Sequence, residues 1–137
     1  MANSPSLTPA ELAEICAKLA DEKFGSDIIA FEVGELTGIT DYFVLCTAGS
    51  EPQLRAIADH IERRLRSDYQ LHPNAIEGTP SSEWVIMDFG TVIVHLMTPA
   101  SRERYGLESL WSDAPRLEAV KILADRAKAH PRTTPLY

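Results

Sequence analysis

The groups most able to do chemistry in this 137-residue chain are its 20 carboxylates, 4 histidines and 2 thiols, and a catalytic or metal site requires such groups to converge with defined partners. Asp88-Phe89-Gly90 spells the metal-binding triplet of protein kinases. The glycine-rich loop and catalytic-loop motif that give the triplet its role are missing, and the chain is less than half the length a kinase needs. A tight turn is the reading those residues support. Gly49-Ser50 stands between an apolar run and a helix start, where backbone N–H groups and a hydroxyl could hold a phosphate, as in nucleotidyltransferases. Such an enzyme also needs paired carboxylates at Asp-x-Asp spacing to hold a divalent metal, and no Asp-x-Asp follows. Ser50 is then explained as a helix N-cap worth about 1 kcal/mol.

His95 sits in the run Val92 to Met97, where strand alternation groups it with Ile93 and Met97 on one face and puts Val92, Val94 and Leu96 on the other. No second His or Cys is spaced to complete a metal site, so His95 reads as a hydrogen-bonded structural residue or a partner contact. Cys16 and Cys46 form no C-x-x-C and fall on apolar stretches, so both are expected to be buried and reduced. No catalytic residue, metal or cofactor is expected. Trp84, Tyr105 and Trp111, interleaved with Arg102, Glu108 and Leu110, are of the types that concentrate binding energy at interfaces. Aromatics also build cores, but this group has too many polar neighbours to be wholly buried.

The elements that must position these residues follow from capping and periodicity. Thr8-Pro9-Ala10-Glu11 has the form of a capping box and Leu12, Ile15, Cys16, Leu19 and Ala20 recur at helical spacing, predicting a helix from Pro9 to Lys23 that Gly25 ends. Asp27 to Val33 and Asp41 to Ala48 read as strands paired in a hairpin across a turn from Gly34 to Gly38. Ser50-Glu51-Pro52-Gln53 opens a second amphipathic helix reaching Ser67. A short strand, Ala75 to Glu77, precedes a loop from Gly78 to Ser82. Trp84 to Phe89 and Val92 to Met97 then form a hairpin about Gly90-Thr91. Thr98-Pro99 opens a short helix that Gly106 closes, Leu107 to Trp111 makes a further turn, and Pro115 to Ala129 reads as a last helix stopped by His130-Pro131. This order fits a single α/β (α+β) domain, a mixed sheet flanked by helices.

Composition bounds the function. With 45% hydrophobic and 24% charged residues the chain should fold around one core. No apolar run approaches the roughly 18 to 20 residues of a membrane crossing, and residues 1 to 7 carry neither Lys nor Arg, unlike a secretory or organellar leader. A cytoplasmic location is expected. A net charge of −7 and a pI near 5.0 oppose non-specific nucleic-acid binding, while leaving basic proteins as partners.

Taken in order, Ile39-Thr40-Asp41-Tyr42-Phe43-Val44, Gly49-Ser50, Ile57-Ala58-Asp59, Glu77-Gly78 ahead of Trp84, Asp88-Phe89-Gly90, Val94-His95, Arg102, Tyr105, Leu107-Glu108 and Leu110-Trp111-Ser112-Asp113-Ala114 resemble the ribosomal silencing factor, or Iojap-like, family. The resemblance implies a nucleotidyltransferase-like fold without the catalytic metal carboxylates, spanning residues 8 to 114 with a helical extension and tail over 115 to 137. It also implies a non-enzymatic translational repressor, which docks on the fourteenth protein of the large ribosomal subunit and keeps the small subunit from joining when nutrients are short. Thr91 departs from the family's usual Asp, so a contact through that carboxylate is not carried over.

The docking or dock-supporting set expected on this basis is Trp84, Arg102, Tyr105, Glu108, Leu110 and Trp111, with Asp88 and His95 beside it. The alternatives are a large-subunit assembly factor and a nucleotidyltransferase working through Gly49-Ser50. The extension is expected to pack on the domain or to support a homodimer.

Overall fold

The computed structural model describes residues 6–121. Helix α1 (Pro9–Glu22) starts at the expected box: the Thr8 hydroxyl accepts the Glu11 N–H at 3.1 Å and the Glu11 carboxylate accepts the Thr8 N–H at 2.9 Å. Those bonds hold the Glu11 carboxyl below its ordinary range. Helix α3 (Glu51–Tyr69) starts where the Ser50 hydroxyl accepts the Gln53 N–H, and α4 (Pro99–Tyr105) where the Thr98 hydroxyl accepts the Ser101 N–H. Gly106, at φ +56°, closes α4 and leads directly into the single turn α5 (Leu107–Leu110).

Five strands, β1 (Ser26–Glu32), β2 (Tyr42–Thr47), β3 (Ala75–Thr79), β4 (Trp84–Asp88) and β5 (Val92–Met97), form one sheet in the order β1-β2-β5-β4-β3. Every neighbouring pair is antiparallel except β2 with β5. That pair lies at the centre, and α1 and α3 cover one face of the sheet. Leu12, Cys16 and Leu19 of α1 and Leu54, Ile57, Ile61 and Leu65 of α3 pack there in one buried cluster with Ala30, Val44, Cys46, Val92, Val94, Leu96, Val85 and Met87. Both thiols are buried, and desolvation pushes each up to about 12, so neither is a nucleophile at neutral pH.

Three segments differ from the sequence expectation. The turn between β1 and β2 holds one helical turn, α2 (Gly34–Thr37), which Gly38 ends at φ +70°. Gly78 and Thr79 belong to β3, and Pro80–Ser82 forms a 3-10 turn in which Thr79 and Ser82 cap each other. The last helix begins later than Pro115. Residues 115–117 run extended along β1: the Glu32 N–H donates to the Pro115 carbonyl at 2.8 Å and the Leu117 N–H to the Ala30 carbonyl at 2.9 Å. Edge amides and carbonyls need partners, and pairing residues 115–117 satisfies them before helical backbone begins at 118. The remainder of the expected helix, from 122, lies outside the described residues.

Ile57 is fully buried between α3 and the sheet, so Ile57→Ala is expected to lower stability in urea by about 2 to 5 kcal/mol. Ser50→Ala, which removes only a cap, should lose about 1 kcal/mol.

Candidate docking surface

The second face of the sheet is built by the same alternation that fills the first. Register places Trp84 opposite Met97, Ile86 opposite His95 and Asp88 opposite Ile93 in the β4–β5 hairpin, while Phe43 and Leu45 of β2 lie beside Ile93 and His95. At the β1 side, Phe31, Val33, Leu45 and Ala114 form a small buried cluster against which Phe43, Leu107 and Trp111 pack. Further across, Phe43, Trp84, Ile86, Ile93 and Trp111 are only half-buried. The rings touch in sequence: Tyr105 to Trp84 at 4.6 Å between centroids, Trp84 to His95 at 5.8 Å, His95 to Phe43 at 5.1 Å and Phe43 to Trp111 at 5.4 Å. Tyr105 is 51% exposed and Leu110 70%. The short helices α4 and α5 thus roof one end of this face and extend it with side chains that point to solvent.

Arg102 and Glu108 hold that roof in place. Arg102 is 8% exposed, and its guanidinium donates from Nε to Glu108 at 2.7 Å and from a terminal nitrogen to the Thr47 hydroxyl at 2.9 Å. One buried cation therefore ties α4 to β2 and to α5.

His95 is 7% exposed, and the Trp84 indole donates from Nε1 to its Nδ1 at 3.2 Å. The acceptor role of Nδ1 puts the ring proton on Nε2, which is buried without a partner. Desolvation pushes the imidazole down to about 4, so it is neutral at pH 7 and braces the Trp84 ring. Asp88 accepts the Gly90 N–H at 2.8 Å and closes the hairpin, where Gly90 stands at φ +87°. Thr91 works through its backbone. Its carbonyl accepts the Asp41 and Tyr42 N–H groups at 3.0 and 3.1 Å, and the Thr40 hydroxyl donates to the neighbouring Gly90 carbonyl at 2.9 Å.

Charge is segregated in a way the overall total conceals. Residues 24–54 and 67–101 contain no Lys or Arg, and all five strands lie within those two stretches. They do contain Asp27, Glu32, Glu35, Asp41, Glu77, Glu83 and Asp88. Register sets Glu77 opposite Ile86 and Ala75 opposite Asp88, which puts two carboxylates on the aromatic face. The sheet is therefore an apolar platform with an acidic margin.

The phosphate-binding alternative is answered by Gln53. Its side-chain oxygen accepts the Gly49 N–H at 2.7 Å, and its Nε2 donates to the Lys23 and Phe24 carbonyls at 3.2 and 2.9 Å. The turn's donor is thus satisfied from within. Among the described residues no three His, Cys, Asp or Glu side chains come together to hold a metal, and no helix is long and apolar enough to cross a membrane. A groove of about 730 Å³ between the outer edge of β1, α4 and residues 116–121 mixes Arg102, Arg116 and Lys121 with Asp27, Glu103 and Glu108, with no nucleophile and base in contact.

The described residues thus form a mixed five-stranded α/β domain with one helix-covered face and one aromatic, half-open face. Residues 6–135 match the family described as "Ribosomal silencing factor during starvation", and the chain belongs to that family. It is 31% identical over 114 residues to the ribosomal silencing factor of Halalkalibacterium halodurans, covering 83% of this chain and 97% of that one. A crystal structure of a Chromobacterium violaceum protein superposes with a TM-score of 0.73 at 30% identity, covering 77% of this chain and 88% of that one. A mouse protein named "Mitochondrial assembly of ribosomal large subunit protein 1" is 32% identical over 104 residues, covering 72% of this chain but 44% of its own length.

Of the eight residues singled out in the sequence, the structure brings Trp84, Tyr105, Trp111 and His95 into one strip, sets Leu110 at its exposed end, and uses Arg102, Glu108 and Asp88 to hold its frame. Phe43, Ile86 and Ile93 were not singled out. Their signal was the period-two alternation of β2, β4 and β5 combined with the parallel β2–β5 pairing, which single strands do not reveal.

Two measurements check these assignments. Because the His95 imidazole is depressed from 6.5 to about 4, the unfolded chain takes up a proton before the folded chain does. The stabilisation is full above pH 6.5 and is lost as pH falls toward 4, on the order of 3 kcal/mol. His95→Gln should flatten unfolding free energy across that window relative to the parent; an unchanged slope refutes the assignment. Nucleotide with Mg²⁺ should leave the thermal midpoint unmoved, whereas a bound ligand at 100 times its dissociation constant would add about 2.7 kcal/mol.

Proposed function

We propose that this protein represses translation by docking the half-open face of its sheet on the large ribosomal subunit, through the fourteenth large-subunit protein, and so excluding the small subunit. The observation that carries the reading is an aromatic strip, from Tyr105 through Trp84, His95 and Phe43 to Trp111, on the half-open face of a sheet whose strands carry no Lys or Arg, in a chain of the ribosomal silencing factor family. The strip supplies Trp and Tyr anchors, and the carboxylate margin suits the basic surface of a ribosomal protein. The mechanism is occupation of space. A body with a radius of gyration of roughly 14 Å cannot share a surface where two subunits must touch. Relief depends on dissociation, and every ~1.4 kcal/mol of docking energy changes occupancy tenfold at limiting concentration. Such a repressor acts where ribosomes work, in the cytoplasm.

A second reading is favoured by the name of the mouse relative: a factor that binds immature large subunits during assembly. The two differ in substrate state. Purified chain added to mature subunits blocks joining if the repressor reading holds and leaves joining intact if assembly is the role.

Cosedimentation with purified subunits is expected to place the chain with the large and not the small one. Leu110→Asp, at a position already facing solvent, should leave urea stability within about 0.5 kcal/mol and weaken large-subunit binding by tenfold or more. Trp111→Ala should weaken binding as well, but its packing against Phe43 makes Leu110→Asp the cleaner variant. Association should slow as salt rises from about 50 to 300 mM, and a salt-independent rate would count against the charge complementarity.

A further inference from the structure

The two outer strands of the sheet are treated differently. The edge of β1 is closed by residues 115–117 and broken at Asp27, which stands at φ +48° where the register with β2 shifts. Among the described residues the edge of β3 is open: β3 ends the strand order, pairs only with β4, and all five of its residues are exposed. Natural sheets cover, twist or charge such an edge unless it is used. Here the protection is partial: Gly78 stands at φ +81°, where an added Cβ would meet the Trp84 carbonyl, and Glu77 is the strand's single charge. Ala75 to Glu77 stay regular.

We propose that this edge accepts an extended, Lys- or Arg-bearing segment of the same ribosomal protein that covers the aromatic face, adding a sixth strand beside β3. The inference rests on the docking reading above and deepens it. Edge and face are continuous, because Glu77 projects on the face beside Ile86 and Ala75 lies opposite Asp88. An added strand would point alternate side chains to either side of the sheet. Those on the docking side would meet Glu77 and Asp88, and those on the other would meet Ile76, which pairs with buried Met87 and is 44% exposed. The occupant is therefore a segment alternating basic and apolar residues. A nucleic acid does not fit, since phosphates would meet carboxylates and could not match a row of alternating N–H and C=O groups. A second copy of this chain fits poorly, because it would bring its own Glu77, Glu83 and Asp88, with no Lys or Arg anywhere in residues 67–101, to the same seam.

Hydrogen–deuterium exchange on the full chain, free and cosedimented with purified large subunits, tests the idea. Pairing should slow exchange of the amides in 75–79 by about tenfold or more in the complex. Glu77→Lys, at an exposed position, should weaken large-subunit binding by about tenfold while leaving thermal unfolding unchanged. A complex that protects residues 105–111 while 75–79 exchange as in the free chain would overturn the added strand and leave the docking reading standing. Failure to cosediment at all would remove both. Protection of 75–79 that grows with the concentration of the chain alone would assign the edge to a second copy and overturn the proposal equally.

Discussion

A sheet has two faces, and this chain covers one of them with long helices. Among the described residues only α1 and α3, of 14 and 19 residues, are long enough to span it, and both lie on the same side. The opposite side receives α4 and α5, of seven and four residues. What they leave open is the run of rings and branched side chains on β2, β5 and β4. Apolar surface of that kind in contact with water opposes folding unless something else covers it. Among the described residues, the half-open face is thus a consequence of element lengths.

The polar groups near that face are arranged to keep it rigid. Arg102 is a buried cation, so removing one of its oxygen partners would leave it less well satisfied in a desolvated site, a costly change. Thr47 and Glu108 answer it from two different elements, and this fixes how α4 and α5 sit over the sheet. His95 solves the opposite problem by staying neutral, with the Trp84 indole on one nitrogen. Its remaining N–H has no partner among the described residues, a local cost of burial. On the proposed docking, preorganised aromatic anchors would lose little side-chain freedom, and the rigidity would serve affinity as well as stability.

Local chemistry made much of this fold legible beforehand. Thr8, Ser50 and Thr98 each start a helix as their types demand, and Gly90 and Gly106 close turns at positive φ. Those signals act over three or four residues. The parallel β2–β5 pairing joins residues about fifty apart in the chain, for example Phe43 and Ile93, and no local pattern encodes such a partner. For that reason Trp84 and Trp111 could be named as candidates while Phe43, which lies between His95 and Trp111, could not. The same limit explains Pro115 to Leu117. Their composition permits a helix start, but the unpaired edge of β1 claims their backbone. The two blocks without Lys or Arg, 24–54 and 67–101, can be read in the sequence, but that they hold all five strands of one sheet is known only from the fold.

Gln53 carries a consequence of its own. Its amide group joins the start of α3 to the end of α1 through Lys23 and Phe24 while filling the Gly49 turn. An anion seated in that turn would have to evict the side chain and with it the tie between the two helices that shield the core. The side chain that fills the turn therefore also fastens the first residues of one core-covering helix to the residues just past the end of the other.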